Sequence, residues 1–407
     1  MTSVPTRPTI GPEAGTALPA VSERFLGVAS SVVRDLLALT QRPGVISFAG
    51  GLPAPELFDV DGARAAFETV FVAGGRAAMQ YSTTEGNPAL RAQVAEMYQA
   101  RGLPTTAEQI VITTGSQQGL SLLAQSLVDP GAVVLVERPS YLAALQCFAL
   151  AGARLVAVPS AGEGIDLEAL DALARAHRPV ALYTVPTFHN PTGRTLDGAN
   201  RLGIVETAGR HGFRVLEDDP YQQLRYSGDP MPPMASLTDD PELVVCTGSL
   251  SKILAPGLRV GWVRTTSAIR AAVVVGKQAA DLHTSTLDQA AAAAYLASGR
   301  LAPALDRART AYRDRRDALL AGLPSALPAG STWNTPDGGM FVWAHLPADM
   351  DAADWLPRAL EHEVAYVPGA PFFPTEPERN SLRLSFTTYD PHQIIEGTRR
   401  LGAAFAD

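Results

Sequence analysis

The segment SLSKILAPGLRVG (residues 249–261) follows the apolar stretch ELVVCT (242–247) and runs into a second one, LRVGWV (258–263). Both stretches are apolar almost throughout, which predicts strands that are buried on both faces of a sheet. Lys252 therefore stands at the exit of a buried strand, a position that makes it the first candidate for chemistry in this chain.

Lysine is scarce in this sequence. Of its 33 basic residues, only Lys252 and Lys277 are lysines, and all the others are arginines. Arginine is effectively always protonated and cannot form an imine, whereas a lysine can lose its proton when its surroundings lower its pKa. We therefore expect that Lys252 is kept because its amine is needed. For Lys277, chance retention has real weight as the explanation.

The residues around Lys252 suit a phosphate-bearing aldehyde cofactor. The amine would form an imine with the aldehyde, and the hydroxyls of Ser249 and Ser251 together with Arg259 would bind the phosphate through charge-assisted hydrogen bonds. A surface loop with ordinary charges is the alternative, and the rarity of lysine argues against it.

Further apolar segments alternate with helical ones through the first two thirds of the chain. The predicted strands are QIVITT (109–114), AVVLVE (132–137), RLVAVP (154–159), VALYTV (180–185) and FRVLE (213–217). Asn87 and Pro88 predict the start of a helix between two such regions, since Asn suits the N-cap and Pro the first turn. This alternation predicts an α/β domain around a mostly parallel sheet.

The pattern changes after about residue 285. A long helical stretch at 289–323, with a predicted break near Pro303, precedes three strand-like segments: MFVWAHL (340–346), VAYVPG (364–369) and SLRLSFT (381–387). We predict four regions on this basis, which are a mobile tail (1–20), a segment that packs on the small domain (21–45), a large domain (46–285) and a small α+β domain (286–407).

Composition and charge exclude several classes of protein. The net charge of −8 argues against binding to nucleic acid, which needs a basic surface. Cys147 and Cys246 form neither a disulfide framework nor a metal-binding pattern, and His189, His211 and His283 have no setting typical of a metal site. The sequence starts without a signal peptide pattern and contains no apolar stretch long enough to span a membrane, which predicts a cytoplasmic protein.

Three more segments carry candidate functional residues. Asp218 follows the strand at 213–217, and the carboxyl ends of such strands are where open α/β sheets bind ligands. Ser116 follows Gly115 at a predicted helix start, where exposed N–H groups can bind phosphate, although this signal alone is weak. Arg383 lies inside an apolar strand and needs an anionic partner, either a substrate carboxylate or a structural carboxylate.

Taken in this order, the motifs resemble those of the class I/II aminotransferase superfamily, which are fold-type I pyridoxal-phosphate enzymes. The resemblance runs from about residue 25 to 403 and is strongest to the group that acts on 2-aminoadipate, kynurenine, and branched-chain or aromatic amino acids. It implies an α/β fold with a large domain around a mostly parallel central sheet and a smaller α+β domain.

The resemblance also implies a role for each matched residue. Lys252 would carry pyridoxal 5′-phosphate, Asp218 would keep its ring nitrogen protonated, and Tyr221 would contact its phenolic oxygen. Lys252 would also move the proton of the substrate. The remaining cofactor-binding residues would be Ser116, Gln117, Tyr141, Asn190, Ser249, Ser251, Arg259 and, from the neighbouring subunit of a homodimer, Tyr81. The substrate-binding residues would be Arg383, Asn190 and Gly51.

The substrate and the reaction are less determined than the cofactor. Relatives that act on 2-aminoadipate carry an arginine for the distal carboxylate at the position of Gly27, so a neutral or aromatic amino acid is favoured, although Arg24 is near. Transamination with a 2-oxo acid in a ping-pong cycle, in specialised amino-acid biosynthesis, is the main prediction. A lyase, decarboxylase or oxidase on the same scaffold is an alternative. The ligand-sensing core of a transcription regulator is another, and the acidic charge disfavours it.

Overall fold

The computed structural model describes residues 22–26, 28 and 44–406. The predicted tail (1–20) and Gly27 lie outside the described residues. Within the described ranges, the strands in chain order are β1 Ile46–Ser47, β2 Ile110–Thr113, β3 Val133–Glu137, β4 Arg154–Val158, β5 Ser160–Ala161, β6 Gly164–Ile165, β7 Ala181–Thr184, β8 Arg214–Asp218, β9 Val244–Ser249, β10 Gly261–Arg264, β11 Thr332–Trp333, β12 Phe341–His345, β13 Val364–Ala365, β14 Val367–Pro368 and β15 Ser381–Ser385.

Helices connect most of these strands. In chain order they are α1 Val60–Ala78, α2 Pro88–Gln99, α3 Ser116–Leu127, α4 Leu142–Leu150, α5 Leu167–His177, α6 Gly198–His211, α7 Ser267–Ala280, α8 Thr286–Ala297, α9 Leu301–Ala326, α10 Ala352–Glu361 and α11 Pro391–Ala406. None of the helices in the described part of the chain has the length and apolar character that spanning a membrane requires.

The central sheet has seven strands in the order β2-β10-β9-β8-β7-β3-β4. The pairs from β9 to β4 are parallel, and β10 runs antiparallel to both of its neighbours. The strands β2, β3, β7 and β9 are buried along their whole length, which is why the sequence there is continuously apolar rather than alternating. The predicted α/β fold with a mostly parallel sheet is confirmed.

The start of β10 differs from the prediction. The segment 258–263 was expected to be a strand throughout, but the strand begins only at Gly261. Leu258 ends a 3-10 turn and Arg259 has a left-handed backbone with φ of 51°. The apolar pattern identified the strand, but it does not show that the chain first has to turn back to run antiparallel.

Two helix ends illustrate how local sequence acts. Asn87 caps α2 as predicted, since its Oδ1 accepts a hydrogen bond from the Leu90 amide at 3.1 Å. The break in the long helical stretch falls at Gly299, which has φ of 74°, and not near Pro303. Pro303 lies in the first turn of α9, where a missing N–H group costs little because those amides have no partner within the helix.

A smaller antiparallel sheet, in the order β11-β12-β15-β14, forms in the last third of the chain. The predicted strand at 364–369 is divided into β13 and β14, and β13 pairs with β1 rather than with this sheet. Arg383 lies on β15 between Trp343 of β12 and Val367 of β14. The short turn Glu23–Phe25 lies beside α4.

Candidate active site

A cavity of about 230 Å³ lies where the carboxyl ends of β8 and β9 meet residues of the smaller sheet. Ten of the residues predicted from the sequence line it, and these are Gly51, Ser116, Tyr141, Asn190, Asp218, Tyr221, Ser249, Ser251, Lys252 and Arg383. Side chains that were separated by up to 332 positions in the chain are thus brought together, as expected if the motifs serve one site.

Lys252 ends the short turn that follows β9. Its Nζ donates a hydrogen bond to the carbonyl oxygen of Gly51 at 2.8 Å. Burial of the amine, and then the positive charges of Arg383 and Arg259, lower the pKa of Lys252 to about 8. A substantial fraction of this amine is therefore neutral slightly above neutral pH, which nucleophilic attack on a carbonyl requires.

Asp218 is the last residue of β8 and is buried. Its Oδ1 accepts a hydrogen bond from Thr247 Oγ1 at 2.7 Å, and its Oδ2 accepts one from Tyr183 OH at 2.9 Å. Burial raises the pKa of Asp218, while these two hydrogen bonds oppose the increase. A cation beside the carboxylate would keep it ionised, and a protonated ring nitrogen is such a cation.

The start of α3 has features that suit a phosphate group. The N-cap residue Gly115 has no side chain to cap the first amides of the helix. A Cβ on Gly261 would lie 2.5 Å from the Ser116 amide nitrogen, so only glycine lets β10 pass this close to the helix start. Arg259 donates to the carbonyl oxygens of Pro256 and Thr114 and has no ion pair in the described ranges. The first amides of α3, at Ser116 and Gln117, and the Arg259 guanidinium together form a site suited to a dianion, which we call the phosphate-type site.

Arg383 is buried with only 3% of its surface exposed. Its Nη1 donates to Asn190 Oδ1 at 2.7 Å, its Nη2 donates to the Ala49 carbonyl oxygen at 2.9 Å, and its Nε has no partner among the described residues. The guanidinium lies 4.3 Å from the ring centre of Phe341 and 5.2 Å from that of Phe372. Burial lowers the pKa of Arg383 to about 10. A buried cation without a carboxylate partner calls for an anionic ligand.

Tyr221 and Tyr141 form two sides of the cavity. Burial raises the pKa of Tyr221, and the adjacent Asn190 side chain opposes this increase. The Tyr221 ring packs edge-on against Phe341 at 6.0 Å. Burial, and then the charge of Asp218, raise the pKa of Tyr141 to about 12. Both phenols therefore stay protonated at neutral pH and act as hydrogen-bond donors.

Three predicted residues do not line the cavity. The side chain of Gln117 points to Cys147, and its Nε2 lies 3.2 Å from Cys147 Sγ. Arg259 belongs to the phosphate-type site at the start of α3 but does not line the cavity. Tyr81 is 79% exposed, and its ring packs edge-on against His283 at 5.7 Å. In this chain alone, therefore, Tyr81 does not contribute to the cavity wall.

Sequence reasoning missed several residues of the site. Tyr183 and Thr247, which hold Asp218, lie inside strands that are apolar overall, and a polar residue within such a strand was the available signal. The apolar part of the cavity wall was not predicted either. It is formed by Leu52, Leu142, Ala143, Val185, Phe341 and Phe372, which belong to separate segments and carry no motif.

Comparisons with known proteins agree with this geometry. The family model described as aminotransferase class I and II matches residues 55–401. The chain is 42% identical over 379 residues to a 2-aminoadipate transaminase of Thermus thermophilus (93% of this chain, 94% of the relative). It is 39% identical over 386 residues to an aromatic-amino-acid aminotransferase of Thermococcus litoralis (93% and 92%).

A solved structure extends the comparison to three dimensions. The α-aminoadipate aminotransferase of Thermus thermophilus, complexed with N-(5′-phosphopyridoxyl)-L-leucine, aligns with a TM-score of 0.86 at 41% identity. The alignment covers 93% of this chain and 95% of the solved chain. The ligand of that protein joins a pyridoxyl phosphate group to a neutral amino acid.

The lowered pKa of Lys252 leads to a first prediction. In the cofactor-free protein, labelling of Lys252 with formaldehyde and cyanoborohydride should rise with pH through a midpoint near 8, because only the neutral amine reacts. Replacing Arg383 with Met removes one of the two positive charges that lower the pKa of Lys252 and should move the midpoint upward, towards the ordinary lysine value. Peptide mapping by mass spectrometry measures the labelled fraction. A midpoint that stays near 10 in the unchanged protein would contradict the assignment.

Proposed function

The chain belongs to the aminotransferase class I and II family and is a pyridoxal-phosphate-dependent aminotransferase, and from this premise we propose which residues perform the reaction and which substrates they accept. Lys252 holds the cofactor, and the amino group moves from a neutral or aromatic L-amino acid to a 2-oxo acid. The observation that carries the proposal is that Arg383, a buried cation in the cavity wall, has no carboxylate partner within the described part of the chain.

The donor set fits the cofactor at each of its polar groups. Asp218 would hold the ring nitrogen, and Tyr221 and Asn190, which line the same cavity, would hold the phenolic oxygen. Tyr141 would pack against the ring. The phosphate is bound by the remaining predicted residues, which are Ser116, Gln117, Ser249, Ser251 and Arg259. For Gln117 the backbone N–H in the first turn of α3 is the available donor, because its side chain is turned towards Cys147.

Lys252 acts twice in this proposal. When bound, pyridoxal 5′-phosphate supplies an aldehyde for amines and an electron-withdrawing ring that stabilises negative charge at the substrate α-carbon. When its amine is free, Lys252 would remove the substrate α-proton as a general base, and the resulting ammonium would deliver that proton to the cofactor carbon C4′ as a general acid. Its pKa of about 8 suits both roles, because the optimum for such a group lies near the working pH.

Arg383 orients the substrate. Two of its N–H groups are engaged with Asn190 and Ala49, and its planar fork suits a bidentate grip on the α-carboxylate. Ala49, whose carbonyl oxygen accepts from Arg383, is two residues from Gly51, whose carbonyl oxygen accepts from Lys252. We therefore expect a substrate held by Arg383 to have its α-carbon within reach of the Lys252 amine.

The cavity wall favours a substrate with an uncharged side chain. Among the described lining residues, the only cations are Lys252 and Arg383, and both already have roles at the reacting centre. The rest of the wall contains Leu142, Phe341 and Phe372. A distal carboxylate would have to enter this apolar region without a counter-ion, which is costly. The relative from Thermus thermophilus is named for a substrate that carries such a carboxylate, so we propose that specificity differs between the two proteins.

A homodimer is part of the proposal. Large apolar side chains are exposed along α1 and just beyond it, including Phe71 (52%), Val72 (82%) and Met79 (72%). Tyr81 follows directly and is exposed as well. A partner subunit that covers this surface would receive Tyr81 at its own phosphate site. We retain the predicted cytoplasmic location and the role in specialised biosynthesis as proposals from the sequence.

The position of the cofactor is tested by chemical trapping. Reduction of the cofactor-loaded protein with borohydride, followed by peptide mapping, should place the label on Lys252, because it is the amine in the cavity. The variant Lys252→Ala should give no labelled peptide. A label on Lys277 in the unchanged protein, or an unaltered absorbance spectrum in the variant, would overturn the assignment.

The role of Arg383 is tested by kinetics. Arg383→Met should raise the KM for the amino acid by about 100-fold, since it removes a charge-assisted bidentate contact, while the cofactor spectrum is retained. Arg383→Lys should leave the KM almost as high, because an ammonium group cannot form the two parallel hydrogen bonds of a guanidinium. Arg379→Met, at an exposed ion pair with Asp351, is the matched control and should leave KM unchanged. Equal KM values in all three variants would refute the role.

The substrate class is tested by the half-reaction. Phenylalanine or leucine should convert the cofactor to its pyridoxamine form with a higher kcat/KM than 2-aminoadipate does, because the described wall offers no cation for the distal carboxylate. Stopped-flow absorbance measures the conversion. A clear preference for 2-aminoadipate would show that a residue outside this wall supplies the missing charge, and it would overturn the proposed class. If no amino acid gives the pyridoxamine form, the assignment of these residues to transamination fails.

A further inference from the structure

Lys277, the second lysine of the chain, lies on α7 and is fully buried. Its Nζ donates hydrogen bonds to Gln118 Oε1 at 2.8 Å, to both oxygens of Asp281 at 2.9 and 3.1 Å, and to Thr284 Oγ1 at 3.0 Å. The side chain contributes nothing to the cavity wall. Its position therefore needs an explanation that neither solvation nor direct catalysis provides.

The surroundings of Lys277 match an ammonium group and not a guanidinium group. An ammonium has three donors, and three neighbouring side chains accept from it here. Arginine would bring five donors in a planar fork and a larger head into a fully buried space. A chain that uses arginine at every Lys/Arg position except Lys252 and this one has a physical reason to keep lysine here, so chance retention is not required.

The Lys277 ammonium is connected to the turn between β2 and α3. Gln118 Oε1 accepts from Lys277 and also from the Thr114 amide at 2.8 Å. Thr114 Oγ1 donates to Asp281 Oδ2 at 2.8 Å, and Asp281 in turn is held by Lys277. Thr114, at the start of this turn, and Gln118, in the first turn of α3, are therefore both linked to one ammonium. The turn contains Gly115, the residue that starts the phosphate-type site.

The other side of the ammonium is connected to the segment after α7. Asp281 and Thr284 both bind Lys277, and between them Leu282 has a left-handed backbone with φ of 65°. A bulky residue adopts this conformation only when its surroundings impose it. His283, next in the chain, packs its ring against Tyr81. The same ammonium thus fixes the segment that supports the tyrosine proposed to reach the neighbouring site.

We propose that Lys277 is a positioning residue for the cofactor phosphate: its ammonium fixes the turn at Thr114–Gly115 so that the first amides of α3 and Arg259 converge on one anion. This inference rests on the proposed function of the site. It assigns to the second lysine a structural task in phosphate binding, with no contact to the reacting atoms.

The test compares two cofactor forms that differ only in the phosphate. Cofactor-free protein is titrated with pyridoxal 5′-phosphate and with pyridoxal. The Kd for pyridoxal divided by the Kd for pyridoxal 5′-phosphate is the ratio that measures the contribution of the phosphate. Lys277→Met keeps the length of the side chain but removes the ammonium, and it should lower this ratio at least about tenfold. The Kd for pyridoxal itself should change little, because Lys252 and Asp218 are untouched.

The matched control removes another buried cation. Arg316 on α9 donates to the Pro336 carbonyl oxygen at 2.8 Å and pairs with Asp317, away from the phosphate turn. Arg316→Met should lower thermal stability as well, yet leave the ratio within about twofold of the unchanged protein. A folded Lys277→Met protein with an unchanged ratio would overturn the inference.

Two more variants keep the test decisive. If Lys277→Met does not fold, Gln118→Met carries the test, because it frees the Thr114 amide while Asp281 and Thr284 still hold the ammonium. It should lower the ratio in the same direction, and an unchanged ratio there counts against the inference. Lys277→Arg should not restore the ratio, and full recovery would refute the argument from three acceptors. If the unchanged protein fails to prefer the phosphorylated form, the proposed phosphate site itself is wrong, which is a separate outcome.

Discussion

Positive charge that the protein does not neutralise is the constraint on which the active site depends. Among the described residues, Arg383 is buried without a carboxylate partner, and Arg259 donates only to carbonyl oxygens. The positive charges of both arginines lower the pKa of Lys252. Removing a cation from water without a counter-ion is costly. A site that keeps these charges is stabilised by anionic ligands, and a phosphorylated cofactor and an amino-acid carboxylate meet this requirement together.

The strand order of the sheet explains how the charged residues come to lie close together. Asp218 and the turn with Lys252 lie at the same edge, because the parallel strands β8 and β9 end side by side. The antiparallel strand β10 then returns the chain past the start of α3, and Gly261 permits the close approach at that point. The left-handed residue Arg259 lies in this reversal, so its guanidinium reaches Thr114. The chain reversal at Arg259 therefore both leads into the antiparallel strand β10 and brings the guanidinium to the phosphate-type site.

Much of this arrangement could be predicted from the sequence. Continuous apolar runs located the buried strands, and chemistry-bearing residues at their ends, such as Asp218 and Lys252, predicted which side chains would line a common cavity. Tyr183 and Thr247 were missed because their role depends on β7 and β9 being the neighbours of β8. The order of strands in a sheet cannot be read from any single segment of the sequence. The direction of Gln117 was missed for a similar reason, since it depends on Cys147 of α4. The roles of the individual site residues stay predictions.

The scarcity of lysine can be explained once the surroundings of the two lysines are compared. Lys252 faces Arg383 and Arg259, and burial with these charges lowers its pKa, so the site favours the neutral amine. Burial also lowers the pKa of Lys277, and the hydrogen bond and charge of Asp281 oppose this effect without reversing it. What distinguishes Lys277 is that three side chains accept hydrogen bonds from its Nζ. Arginine could serve neither purpose, because it does not lose its proton and does not offer three tetrahedral donors. The same residue type thus serves two purposes, a neutral amine at Lys252 and three hydrogen-bond donors at Lys277, and the composition alone could not distinguish the second purpose from chance.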